Sequence, residues 1–144
     1  MTETAGYSET PLLKKLGIKE EQRALLVNIP PEVSELGEYD GWKRVKHSEN
    51  LRGAIGGPYD YIHYFCNDKQ KLIRGLERLK GQMAQNAMIW ISWPKKASGV
   101  KTTVGEGDIR VLAIKYGLVD IKVCAVNEVW SGLKLVIPVK DRDK

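Results

Sequence analysis

Three short apolar runs, "RALLVNIP" (23–30), "YDYIHYFC" (59–66) and "AMIWISW" (87–93), constrain this chain more than any other feature. They show little of the polar alternation of a half-buried strand, so each reads as a strand covered on both faces. Only a sheet sandwiched between helices provides that cover. The intervening segments supply the helices. In "KQKLIRGLERLKGQM" Leu72, Ile73, Leu76 and Leu79 recur at helical spacing, and Asp68 stands where an N-cap belongs. Thr10-Pro11 before "LLKKLG" offers a cap, a proline at the first helical position and a stop at Gly17.

Weaker signals fill the gaps. "PEVSEL" reads as a short helix and "WKRVKH" (42–47) as an exposed, alternating strand. Thr103 and Glu106 have the spacing of a capping box before a helix carrying Ile109, Leu112, Ala113 and Tyr116, which Gly117 ends. "VDIKVCAVNEVWSGLKLVIPV" reads as two strands around the turn "NEVWSG". Strands alternating with helices imply parallel pairing with right-handed crossovers. The expectation is an α/β chain: a single Rossmann-like three-layer domain over 1–144, with a mainly parallel sheet and a C-terminal antiparallel β-hairpin. Residues 1–9 are expected to form a mobile tail, whose Tyr7 and Ser8 can close over a crevice.

With 144 residues, 42% of them hydrophobic, one core can form without metals or disulfides. Cys66 and Cys124 sit singly within apolar runs, the pattern of buried thiols in a reducing compartment, and no metal-ligand spacing accompanies them. The N-terminus is polar, and no apolar run approaches the ~18 residues of a membrane span. A cytoplasmic location with no membrane partner follows as the expectation. The net charge is +5, carried by the second half of the chain. That asymmetry permits an acidic partner. The lysines form no run and no recognition motif accompanies them, which argues against nucleic acid.

In open α/β sheets ligands bind beyond the carboxyl ends of the strands. Three loops qualify: Asn28 to Pro31, Cys66 to Asp68, and Trp93 to Thr103. The third, within "SWPKKASGVKTT", carries the chemistry of an anion site: charge from Lys95, Lys96 and Lys101, a hydroxyl from Ser98, and backbone donors around Gly99. His63 lies inside an apolar strand with Tyr61 and Phe65 on its face, so it reads as a hydrogen-bonded core histidine. Trp130 and Glu128, at the hairpin turn, read as structural, with Trp130 capping the core edge. No nucleophile, metal or cofactor motif assigns a reaction, and the catalytic residues and cofactor stay open.

The blocks "GYSETPLLKKLGI" (6–18), "WPKKASGVKT" (93–102) and "VDIKVCAVNEVWSGLKLV" (119–136), with the spacing between them, resemble an uncharacterised bacterial domain family, one catalogued as a domain of unknown function. The resemblance spans nearly the whole chain and implies a bacterial origin and a single domain. In layout the chain also resembles the C-terminal half of class I S-adenosylmethionine-dependent methyltransferases. It departs from them where their glycine-rich turn follows the first strand: "VNIPPEVSEL" (27–36) has two prolines and no glycine. The leading expectation is therefore a non-enzymatic or regulatory domain binding a small, phosphate-bearing anion at Lys95, Lys96, Ser98, Gly99 and Lys101. Its alternatives are a divergent methyltransferase-like enzyme, and an interaction module or homodimer in which Trp42, Trp93 and Trp130 include exposed anchors.

Overall fold

The computed structural model describes residues 11–51 and 56–142, so the expected tail and the Thr10 cap lie outside the described residues. The run at Arg23–Val27 forms β1 and divides the core in two. Leu25 and Val27 belong to one apolar cluster, Ala24 and Leu26 to the other. The same alternation recurs through β3 (Tyr59–Phe65) and β4 (Met83–Pro94). A fourth parallel strand, β2 (Arg44–Ser48), is mostly exposed. The hairpin strands are β5 (Val119–Ala125) and β6 (Trp130–Val136).

The strands form one sheet in the order β2-β1-β3-β4-β6-β5. Pairing is parallel from β2 to β4 and antiparallel for β4–β6 and β5–β6. Thus β6, the last strand in sequence, lies inside the sheet, and β5 forms the edge. Dinucleotide-binding sheets of order 3-2-1-4-5-6 carry a further strand beyond the second. Here the sheet stops at β2, whose Arg44 and Lys46 give it the charged character of a guarded edge.

Helices cover both faces. Helices α1 (Pro11–Lys15) and α2 (Ser34–Glu38) bury Leu12, Leu13 and Leu36 against one side. Helices α3 (Lys69–Lys80) and α4 (Glu106–Lys115) bury Leu72, Leu76, Leu79, Ile109 and Leu112 against the other. The two sides together give the three expected layers. Gly17 and Gly117 follow α1 and α4 with φ of +72° and +76°, the left-handed conformation that ends helices.

Local chemistry fixes the helix starts. The Asp68 carboxylate accepts from the backbone N–H groups of Gln70 and Lys71, at 2.8 and 3.2 Å for Oδ1. Asp68→Ala is therefore expected to lower stability by about 1 kcal/mol, read from urea unfolding at neutral pH. The expected box at the start of α4 is differently built. Gly105 is the N-cap, and its N–H donates to Asp108 Oδ2 at 2.9 Å. The Thr103 hydroxyl instead accepts from the Lys69 N–H at 2.7 Å, joining the loop before α4 to the start of α3. Both cysteines are buried and free, and no described helix is long and apolar enough to cross a membrane.

Candidate functional site

The connection that leaves β1 runs to β2 on one side of the sheet, whereas the connection that leaves the adjacent β3 runs to β4 on the other. The carboxyl ends of those strands are where an α/β sheet opens a ligand crevice. At the end of β1, Asn28 takes φ +60°, a left-handed turn that asparagine tolerates better than most residues. Its N–H donates to Ser48 O at 2.8 Å, and its Nδ2 reaches Phe65 O at 3.4 Å. The ends of β1, β2 and β3 are thereby tied together. Further along, Cys66 N–H donates to Ser92 O at 2.9 Å and Thr103 N–H to Asn67 O at 3.1 Å. Of the three strand-end loops singled out in the sequence, the second and third are bonded directly, and the first is tied to the end of β3 beside them.

A cleft of about 460 Å³ opens beside Asn28. Glu49 and Asn50, just past β2, form one wall, and Lys71, Arg74 and Arg78 on one face of α3 form the other. Tyr64, buried in β3, lies at its floor, and burial together with Cys66 holds its hydroxyl protonated far above neutrality. Leu51 closes one end: Arg78 Nη1 donates to its carbonyl at 2.9 Å, and a Cβ at Gly75 would collide with its side chain. Gly75 lets the segment after β2 lie directly on α3.

The expected anion loop is arranged otherwise. Lys95 and Lys96 line a second cleft, together with Glu106 and Asp108 at the start of α4. Asp108 is held below the usual carboxylate range by the Gly105 N–H and by Lys69, whose Nζ lies 3.2 Å away. The positive helix terminus thus already faces its own carboxylates. Lys101 borders a separate depression beside Asn67 and Asp68. Ser98 and Gly99 line neither. The Ser98 hydroxyl donates to Lys95 O at 2.6 Å and accepts from Val100 N–H, while Gly99, at φ +78°, completes the turn. These two residues build the loop.

His63 has the expected core role. Its Nδ1 is 2.9 Å from the Tyr61 hydroxyl and its Nε2 is 2.7 Å from Ser92 Oγ. Its ring stacks on Phe65 with centroids 4.4 Å apart. Burial pushes its pKa down to about 3, so the ring is neutral at physiological pH. Among the tryptophans, Trp42 and Trp93 are buried and cannot serve as exposed anchors. Trp130 stands edge-on to Phe65 at 5.1 Å and donates from Nε1 to Glu32 at 3.3 Å, linking β6 to the loop after β1.

Glu49 carries no motif in the sequence that marks it out. The available signal was an acidic side chain at the end of the second strand, about twenty residues beyond the first, a position that in dinucleotide folds meets a ribose hydroxyl. Lys71, Arg74 and Arg78 were also missed. Read on the sequence, they form the polar face of an amphipathic helix.

No protein-family model and no curated protein matches the sequence. Solved structures do match in fold. The tRNA methyltransferase TrmK of B. subtilis is similar at a TM-score of 0.62 and 11% identity, over 92% of this chain and 68% of that one. The magnesium protoporphyrin IX methyltransferase ChlM from Synechocystis PCC 6803, solved with bound SAH, gives 0.57 and 12%, over 92% and 80%. A SAM dependent methyltransferase from Aquifex aeolicus gives 0.52 and 17%, over 88% and 87%. At such identities the likeness establishes the fold, a Rossmann-like methyltransferase-type sheet. The recurrence of methyltransferases corrects the leading expectation from sequence. The reading as a non-enzymatic anion-binding domain gives way to its methyltransferase-like alternative.

Proposed function

We propose that this chain is a divergent methyltransferase-like enzyme that holds an S-adenosyl cofactor in the cleft between Glu49 and α3. The observation that carries this is the meeting of Glu49 with the left-handed turn at Asn28, at the point where the chain connections diverge. Glycine is usual in such a turn because it accepts positive φ and lets backbone approach a ligand. Asn28 meets the first requirement with a side chain of its own, so "VNIPPEVSEL" forms the turn without glycine.

The donors present suit the cofactor. The Glu49 carboxylate is placed to accept from a ribose diol, and the Asn28 and Asn50 carboxamides offer both donors and acceptors to an adenine edge. Lys71, Arg74 and Arg78 supply cations for a carboxylate. A volume near 460 Å³ falls within the range of small-molecule sites. When bound, the cofactor supplies a methyl group on a sulfonium centre. The chain's own part is to bind and orient it and to keep the Tyr64 floor uncharged. The block resemblance and the two unpaired thiols support a bacterial, cytoplasmic setting.

Isothermal titration tests the reading directly. S-adenosylmethionine or S-adenosylhomocysteine is expected to bind, and Glu49→Ala to weaken the affinity by roughly tenfold or more, the effect of losing a hydrogen bond to a charged acceptor. Absence of heat for both ligands at millimolar concentration would overturn it.

A further inference from the structure

On the α1 side of the sheet one lysine is held against others. Lys134 of β6 lies in register between Trp90 of β4 and Lys122 of β5. Like charges directly opposite on neighbouring strands destabilise a sheet, so this pair costs stability rather than adding to it. Lys134 is half-buried, and its amine passes close to the turn after α1. A Cβ at Gly17 would lie 3.7 Å from Lys134 Nζ and 3.6 Å from the Met88 sulfur. Lys122 is fixed in place, because its Nζ donates to Lys15 O at 3.2 Å while Lys15 Nζ donates to Ala125 O at 2.9 Å. Among the described residues no carboxylate pairs with Lys19, Lys122 or Lys134. Asp120, the one acid of β5, is turned to Arg110, and β6 carries none. Burial, and after it the charges of Lys122 and Lys19, therefore lower the basicity of the Lys134 amine.

We propose that the Lys134 amine is a nucleophile that condenses with a small aldehyde or ketone bearing an anionic group, the anion being held by Lys122 and Lys19. An amine that is desolvated and set beside other cations is activated for this chemistry. Its lone pair attacks the carbonyl carbon, and the carbonyl oxygen takes up a proton. The resulting carbinolamine loses water as the C=N bond forms. Amine and carbonyl thus give imine and water, with no oxidant or reductant consumed. Lys122 spends one of its three N–H donors on Lys15 and keeps two for the anion. The site lies on the face of the sheet opposite α3, so the inference does not rest on the cofactor reading.

Reductive trapping tests it. The full chain is treated at neutral pH with glyoxylate and cyanoborohydride, whose hydride converts C=N to a stable secondary amine, and each lysine is followed by peptide mass spectrometry. Lys134 is expected to be modified faster than the exposed Lys14 and Lys140. Lys122→Gln should slow modification of Lys134 by about tenfold or more, the effect of losing a hydrogen bond to a charged group. Lys122→Arg keeps the cation and should retain most of the rate. Both variants alter an exposed side chain, and circular dichroism checks that they fold. With propionaldehyde, which has no charge to anchor, the preference for Lys134 should shrink. Equal modification of Lys134, Lys14 and Lys140 would overturn the proposal. So would a Lys134 rate that Lys122→Gln leaves unchanged, or a preference that is as large with propionaldehyde.

Discussion

Between pH 6.5 and pH 5 the folded protein is expected to lose about 2 kcal/mol of stability through His63 alone. The unfolded chain binds a proton at this imidazole with a pKa near 6.5, whereas burial lowers the folded value to about 3. Below pH 6.5 protonation therefore favours the unfolded chain, by up to about 1.4 kcal/mol for each pH unit. The contribution is fully present above pH 6.5 and continues to be lost down to about pH 3. Both ring nitrogens are engaged, by the Tyr61 hydroxyl and Ser92 Oγ, and aromatic rings of Phe65 and Trp90 stack on it. None of these partners is a carboxylate that would stabilise an imidazolium. Urea unfolding at intervals from pH 7.5 to 5 should show the slope in the wild type. It should be reduced in His63→Gln, whose amide keeps a donor and an acceptor but does not titrate. A flat wild-type profile would mean that the ring takes up its proton without unfolding.

The second large effect belongs to Trp90, the largest fully buried side chain. Its ring lies in the cluster under α1, and its indole N–H donates to Leu16 O at 2.9 Å, beyond the last residue of that helix. A five-residue helix has little stability of its own, so α1 depends on this bond and on Leu12, Leu13 and Leu16 packing beside it. Trp90→Ala is expected to cost about 3–5 kcal/mol, a large part of the ~5–15 kcal/mol that holds an ordinary domain together. Trp90→Phe keeps most of the packed volume and loses the donor, so about 1–2 kcal/mol is expected. Chemical denaturation gives both values. If Phe costs as much as Ala, the hydrogen bond rather than the packed ring anchors the helix.

The interior of this fold was legible because β1, β3 and β4 lie between two helical layers, so each residue of their apolar runs reports burial on one side or the other. Asp68 was legible for a local reason: its carboxylate bonds N–H groups only two and three residues away. Where several segments compete for one group, spacing misled. Thr103 and Glu106 have the pattern of a capping box, but the Thr103 hydroxyl is drawn to Lys69, thirty-four residues distant in sequence, and Asp108 takes its place. The anion loop failed similarly. Lys95 and Lys96 are conspicuous in sequence, but the carboxylates that share their cleft come from the next helix. Glu49 was hidden because it follows a weak, mostly exposed edge strand. Only the sheet order, with β1 between β2 and β3, brings it beside Asn28 and α3.

The position of Trp130 has an optical consequence. Trp42, Trp90 and Trp93 are sealed in the core, while the indole of Trp130 is half-buried, edge-on to Phe65 at the carboxyl end of β3. A soluble collisional quencher such as iodide therefore reaches one of the four emitters, and the quenchable fraction of the intrinsic fluorescence reports on one spot at the mouth of the sheet. Any molecule that settles over those strand ends, or that displaces the loop holding Glu32, changes that fraction without a label.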